Sequence, residues 1–126
     1  MKFGLRHLVV CICLLTMFFG LAGCGGGTND NIVCSQIAAA GVDVSIFDAR
    51  TGAALAATTT LTEGTYQETS MQEQTTFSGA YERPGTYTVR VTKSGYATFE
   101  QTGIVITKGV CHVSPLIIRV DLQHLP

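Results

Sequence analysis

No two cysteines of this sequence stand at the C-x-x-C spacing of a structural zinc site, and no serine sits in a G-x-S-x-G nucleophile elbow. A phosphate-cradling glycine loop is missing too. Basic residues are scarce: eight Lys and Arg face nine Asp and Glu across 126 positions, which leaves no basic patch for nucleic acid. Tryptophan is absent and proline occurs three times. Nor is there an unbroken run of about 20 apolar residues, the length a membrane-spanning helix needs.

A shorter apolar run is present. Lys2, Arg6 and His7 precede Leu8 to Phe19, where Thr16 is the sole polar interruption. Small residues then lead into Leu21-Ala22-Gly23-Cys24 and the glycines Gly25-Gly26-Gly27. Charged start, short apolar core and small-residue exit are the layout of a secretory leader. The Leu-Ala-Gly-Cys ending resembles the lipobox of bacterial lipoproteins. That resemblance implies cleavage before Cys24 and a diacylglyceryl group on its sulfur, anchoring the chain to a membrane. At about 0.8 kcal/mol per buried methylene, two or three acyl chains make such an anchor essentially permanent. Gly25, in place of an aspartate, points to the outer membrane where the organism has one. The expected organisation is a leader over 1–23, a lipidated flexible tether over 24–31, and one domain over 32–126. Gly, Thr, Asn and Asp fill 25–31, too polar to order themselves.

Loss of the leader removes Lys2 and Arg6, leaving six basic residues against nine acidic, a net charge near −3. A domain of this size buries only about 65% of its unfolded surface, so its core is marginal. Cys11 and Cys13 leave with the leader. With Cys24 acylated, Cys34 and Cys111 are the one possible intramolecular pair. They either form a disulfide or remain as two buried thiols; an exported location favours the disulfide. Closing a loop of about 78 residues would contribute roughly 4–5 kcal/mol on the chain-entropy model.

The rest is rich in Thr, Val, Ala and Gly and reads as strands. Val42, Val44 and Ile46 alternate with Asp43, Ser45 and Phe47. Asp48 to Gly52 is a turn, and Ala53 to Thr62 a second strand. Tyr66 to Gln74 is polar, either an exposed edge strand or a loop. Phe77 to Tyr81 is short, and Glu82-Arg83-Pro84-Gly85 is a tight turn in which Gly85 takes the positive φ. Thr86 to Lys93 alternates cleanly. Tyr96 to Glu100, Ile104 to Thr107 and Val110 to Leu122 complete the pattern, with Lys108-Gly109 as a hairpin. Short strands at turn-punctuated intervals indicate an all-β sandwich of about seven strands.

Val42 to Gly52, together with Pro84 to Val91 and Ser94-Gly95-Tyr96, resembles the carboxypeptidase regulatory-like domains. The likeness spans Ala40 to Leu122. It implies a prealbumin-like antiparallel β-sandwich and no particular activity. Cys111-His112-Val113 resembles a stretch of small lipoproteins with this domain, which implies pairing of Cys111 with an early cysteine. Hydroxyisourate hydrolases share the fold, but their Tyr-Arg-Gly-Ser ending is absent here: the chain ends Leu122 to Pro126.

Few residues invite chemistry. His112 is read as packed beside the disulfide or exposed, and His124 as frayed. Asp48 is best explained by turn capping, with a calcium role for Asp43 and Asp48 as the alternative. Glu63, Glu68 and Glu73 read as a solvated face. Tyr66, Tyr81, Tyr87 and Tyr96 serve core and corner positions or a sugar-stacking platform. The expected function is a non-catalytic, membrane-anchored envelope module binding protein or glycan, with Tyr66 to Gln74 as its docking edge and no cofactor. A small-ligand carrier or a transthyretin-like hydrolase is the alternative.

Overall fold

Val42, Val44, Ile46 and Asp48 are buried, and the residues between them are half-exposed. This period-two alternation makes Val42–Asp48 the first strand, β1, one face of which points into the core. The computed structural model describes residues 31–126. Val33–Pro126 forms one compact unit. The leader, Cys24 and the tether up to residue 30 lie outside the described residues.

Six more strands follow: β2 (Thr58–Glu63), β3 (Tyr66–Thr69), β4 (Thr76–Gly79), β5 (Gly85–Thr92), β6 (Phe99–Ile106) and β7 (Leu116–Leu122). They form two sheets, one in the order β4-β1-β7 and one in the order β3-β2-β5-β6. The core is the apolar sequence between them: Val42, Val44 and Ile46 from β1, Leu61 from β2, Tyr87, Val89 and Val91 from β5, Ile104 and Ile106 from β6, and Ile118, Val120 and Leu122 from β7. The expected all-β sandwich of about seven strands is what the chain forms.

Its pairing differs from an antiparallel sandwich in one place. β1 and β7 run parallel, with Val42 opposite Leu116 and Asp48 opposite Leu122. Parallel neighbours cannot be joined by a tight turn. Here the connection is the whole intervening chain, so first and last strands meet side by side.

Several boundaries shift for local reasons. Ala53 to Ala57 is not strand: only isolated bridges at Ala54 and Ala57 hold it. β3 is the edge of its sheet, and a loop follows it. Tyr96 to Thr107 contains one strand rather than two, because Gly103 takes φ +71° and carries β6 onward beside an irregularity at Tyr87/Val89. Val110 to Pro115 is not strand. Gly109 donates to the His112 carbonyl at 2.7 Å, making a tight loop closed by the Lys108–Val113 bridge. At the Glu82 to Gly85 turn, positive φ falls on Glu82 (51°), and on Ala80 (52°) just before it, not on Gly85. A Cβ on Gly85 would displace the Glu63 carboxylate from its present position.

Candidate functional site

Cys34 and Cys111 form a disulfide with their Cα atoms 5.3 Å apart, joining the segment before β1 to the loop before β7. His112 packs beside it. Its Nδ1 lies 2.6 Å from Glu82 Oε1, which also accepts the Ala39 amide at 2.6 Å. Glu82 thus clamps the start of the domain to the disulfide loop. The Ala39 amide, followed by the His112 contact and the Val113 amide, holds its carboxyl below the ordinary carboxylate range. His112 Nε2 is buried without a hydrogen-bond partner among the described residues.

A second cluster gathers at the opposite end of β1. Asp48 Oδ1 accepts the amides of Arg50 at 2.8 Å and Thr51 at 3.0 Å, the expected turn cap. Its Oδ2 accepts the Tyr96 hydroxyl at 2.7 Å and meets His124 Nε2 at 2.9 Å. The Tyr96 bond above all holds Asp48 far below the usual carboxylate range, and the same bond pushes the Tyr96 hydroxyl up. His124 is therefore not frayed. It bridges Tyr96 in the backbone, and the two rings lie 4.3 Å apart. Asp48 and Asp43 do not converge: Asp43 bonds Ser78 across to β4.

A third cluster corrects the solvated-face expectation for Glu63 and Glu68. Glu63 accepts the Thr86 amide and pairs with Arg83, both at 2.7 Å. Glu68 accepts the Ala80 amide at 2.9 Å and the Tyr66 hydroxyl. The Arg83 guanidinium lies 4.0 Å over the Tyr66 ring. Burial, followed by the Glu68 bond, pushes the Tyr66 hydroxyl up to about 12. Tyr87 is core, and its hydroxyl donates to the Arg83 carbonyl at 2.9 Å. Glu73 is exposed as expected, beside Lys93. Each of these carboxylates is committed to backbone amides or to a neighbouring side chain. These clusters tie loops together and leave little capacity for a ligand.

The open surface lies elsewhere. Strand β5 turns Tyr87, Val89 and Val91 inward, β2 turns Thr59 and Leu61, and β3 turns Tyr66 and Glu68, so the residues between them face outward. The outer face of the four-stranded sheet therefore carries Thr60 and Thr62, Gln67, Thr88, Arg90 and Thr92, and Glu100 from β6. These residues line a groove of about 440 Å³. Register puts Arg90 opposite both Thr60 and Glu100, and Thr62 opposite both Gln67 and Thr88. Thr60 and Thr69 hydroxyls lie 3.2 Å apart across β2 and β3. Hydroxyls and the amide both donate and accept, Arg90 donates and Glu100 accepts. The groove thus presents a dense, near-neutral field of hydrogen-bonding groups on a rigid sheet. Of the expected docking edge, Tyr66 to Gln74, only Gln67 lines the groove. The signal for the rest was the alternation of Thr60, Thr62, Thr88, Arg90 and Thr92 with core positions. Among the described residues no group of three or more His, Cys, Asp or Glu is placed to hold a metal ion. The chain matches no family model and no curated protein.

Proposed function

We propose that this chain is a lipid-anchored lipoprotein of the cell envelope whose β-sandwich is a non-catalytic binding module, and that it takes a glycan on the threonine-lined face. The carrying observation is the groove of Thr60, Thr62, Gln67, Thr88, Arg90, Thr92 and Glu100. A polyhydroxylated ligand offers the same mixture of donors and acceptors that the groove does, so each bond made to water has a replacement on binding. Threonine side chains are stiff at χ1, so little rotamer entropy is lost. The leader, the lipobox-like Leu21 to Cys24 and the Cys34–Cys111 disulfide support an exported, membrane-held setting.

Residues 24–126 carrying Cys24→Ser, mixed with isolated cell-wall glycan and sedimented, test the module. The expected result is co-sedimentation that Gln67→Ala with Arg90→Ala reduces at least tenfold, with an unchanged urea midpoint. Absence of co-sedimentation, or equal binding by the double variant, overturns the glycan reading. Acyl labelling of the full chain tests the anchor: Cys24→Ser should abolish the label.

A further inference from the structure

The end of the sandwich that carries the disulfide also carries highly exposed apolar side chains. Val33 is 91% exposed and Val110 79%. They adjoin Cys34 and Cys111, whose Cα atoms the disulfide holds 5.3 Å apart. Ile37, 81% exposed, follows Cys34 by three residues. Tyr81, 51% exposed, adjoins Glu82, whose carboxylate binds the Ala39 amide and the His112 ring. One disulfide and one carboxylate thus gather three separate segments, and four apolar side chains, at one end. Single exposed apolar residues are ordinary; a fixed group of them is the mark of an interaction surface.

We propose that this end rests on the bilayer, with Val33, Ile37 and Val110 entering the headgroup boundary and Tyr81 lying at its level. The inference rests on the reading of Cys24 as the lipidated residue. Eight residues separate Cys24 from Val33, so nine steps of chain span at most about 30 Å when fully extended. The anchor therefore keeps this end, rather than some other, beside the membrane. Aliphatic side chains gain by leaving water there, and tyrosine suits a boundary with one wet and one apolar side. Glu82 does not oppose docking as a bare charge, because it is held by the Ala39 amide and His112. Exposed Lys108, in the same loop as Val110, adds attraction to anionic headgroups.

Residues 24–126 contain the whole described core, and Cys24 is their one thiol outside the disulfide. The chain can be coupled through Cys24 to a maleimide phospholipid in vesicles of phosphatidylcholine and phosphatidylglycerol. Because tryptophan is absent, Val110→Trp, Ile37→Trp and Thr62→Trp each supply a single fluorescent reporter. With brominated acyl chains, emission from Val110→Trp and Ile37→Trp should fall at least twofold. Thr62→Trp, on the outer face of the four-stranded sheet, should be unchanged. Equal quenching of all three, or none, overturns the docking. The chemical coupling separates this from the lipoprotein reading, which the acyl label on the native chain decides. Absence of that label would defeat that reading, and this inference with it.

Discussion

His124 Nε2 and the Tyr96 hydroxyl meet the same carboxylate oxygen of Asp48, at 2.9 and 2.7 Å. The C-terminal segment is thereby tied to the turn after β1 and to the turn after β5. Asp48 supplies the charge that the other two share.

This tie predicts the pH dependence of stability. A carboxylate held below its ordinary value near 3.8 contributes stability that is complete above that pH and is lost as the pH falls below it. Tyr96 behaves oppositely. Its hydroxyl is held above 10, so its contribution is complete below pH 10 and is lost as the pH rises through the higher folded value. The urea midpoint should be level between about pH 5 and 9 and fall on both sides. Asp48→Asn should lower it at neutral pH and make the acid limb shallower. Glu82 and Asp121, also held low, account for the acid sensitivity that remains. An acid limb unchanged by the substitution would remove Asp48 from this role.

Thr59 is fully buried, and among the described residues its hydroxyl has no hydrogen-bond partner. A buried polar group left unpaired costs roughly 1–3 kcal/mol. Thr59→Val keeps the branched shape and removes the unpaired oxygen. It should stabilise the fold by about 1 kcal/mol, read as a higher urea midpoint with the same m-value. A destabilised variant would mean that the hydroxyl has found a partner, such as an ordered water.

Gly41 stands where the chain enters β1. A Cβ there would lie 2.8 Å from the Ala80 carbonyl oxygen and 2.9 Å from Ile106 side-chain atoms. The carbonyl is backbone and cannot swing away. Gly41→Ala should cost about 1–3 kcal/mol by overpacking, whereas Gly52→Ala meets open space and is strained only through its φ of +71°. A midpoint unaltered by Gly41→Ala would contradict the close approach.

The disulfide closes a loop between residues 77 apart. Cys34→Ser should lower stability by about 2–5 kcal/mol under oxidising conditions and expose Cys111 to alkylation. Alkylation of Cys111 in the oxidised, unsubstituted protein would show that the bridge does not form.

Strands β1 and β5 are legible in the sequence because Val42-Val44-Ile46 and Tyr87-Val89-Val91 alternate without interruption. The fold class follows from them and from the turns. Ala53 to Ala57 misleads because small residues satisfy a strand pattern without supplying side chains to pack. The unity of β6 is hidden by Gly103, which looks like punctuation but is crossed in a left-handed conformation. Glu63 and Glu68 look solvated at their five-residue spacing. Their partners, the Thr86 and Ala80 amides, are 23 and 12 residues away and invisible to any local pattern. His124 reads as frayed for the same reason, with Asp48 76 positions distant. The threonine face is half legible: alternation predicts an outward row on each strand, but only the β3-β2-β5-β6 order brings those rows into one groove.

The side-by-side arrangement of β1 and β7 has a consequence for how the molecule is made. A ribosome delivers Val42–Asp48 well before Leu116–Leu122. Until then the earlier strand has β4 on one flank and nothing on the other, and its valines lack the cover of Ile118, Val120 and Leu122. Completion of the three-stranded sheet therefore waits on synthesis through β7: a product cut short of Leu116 has no means of closing its own core.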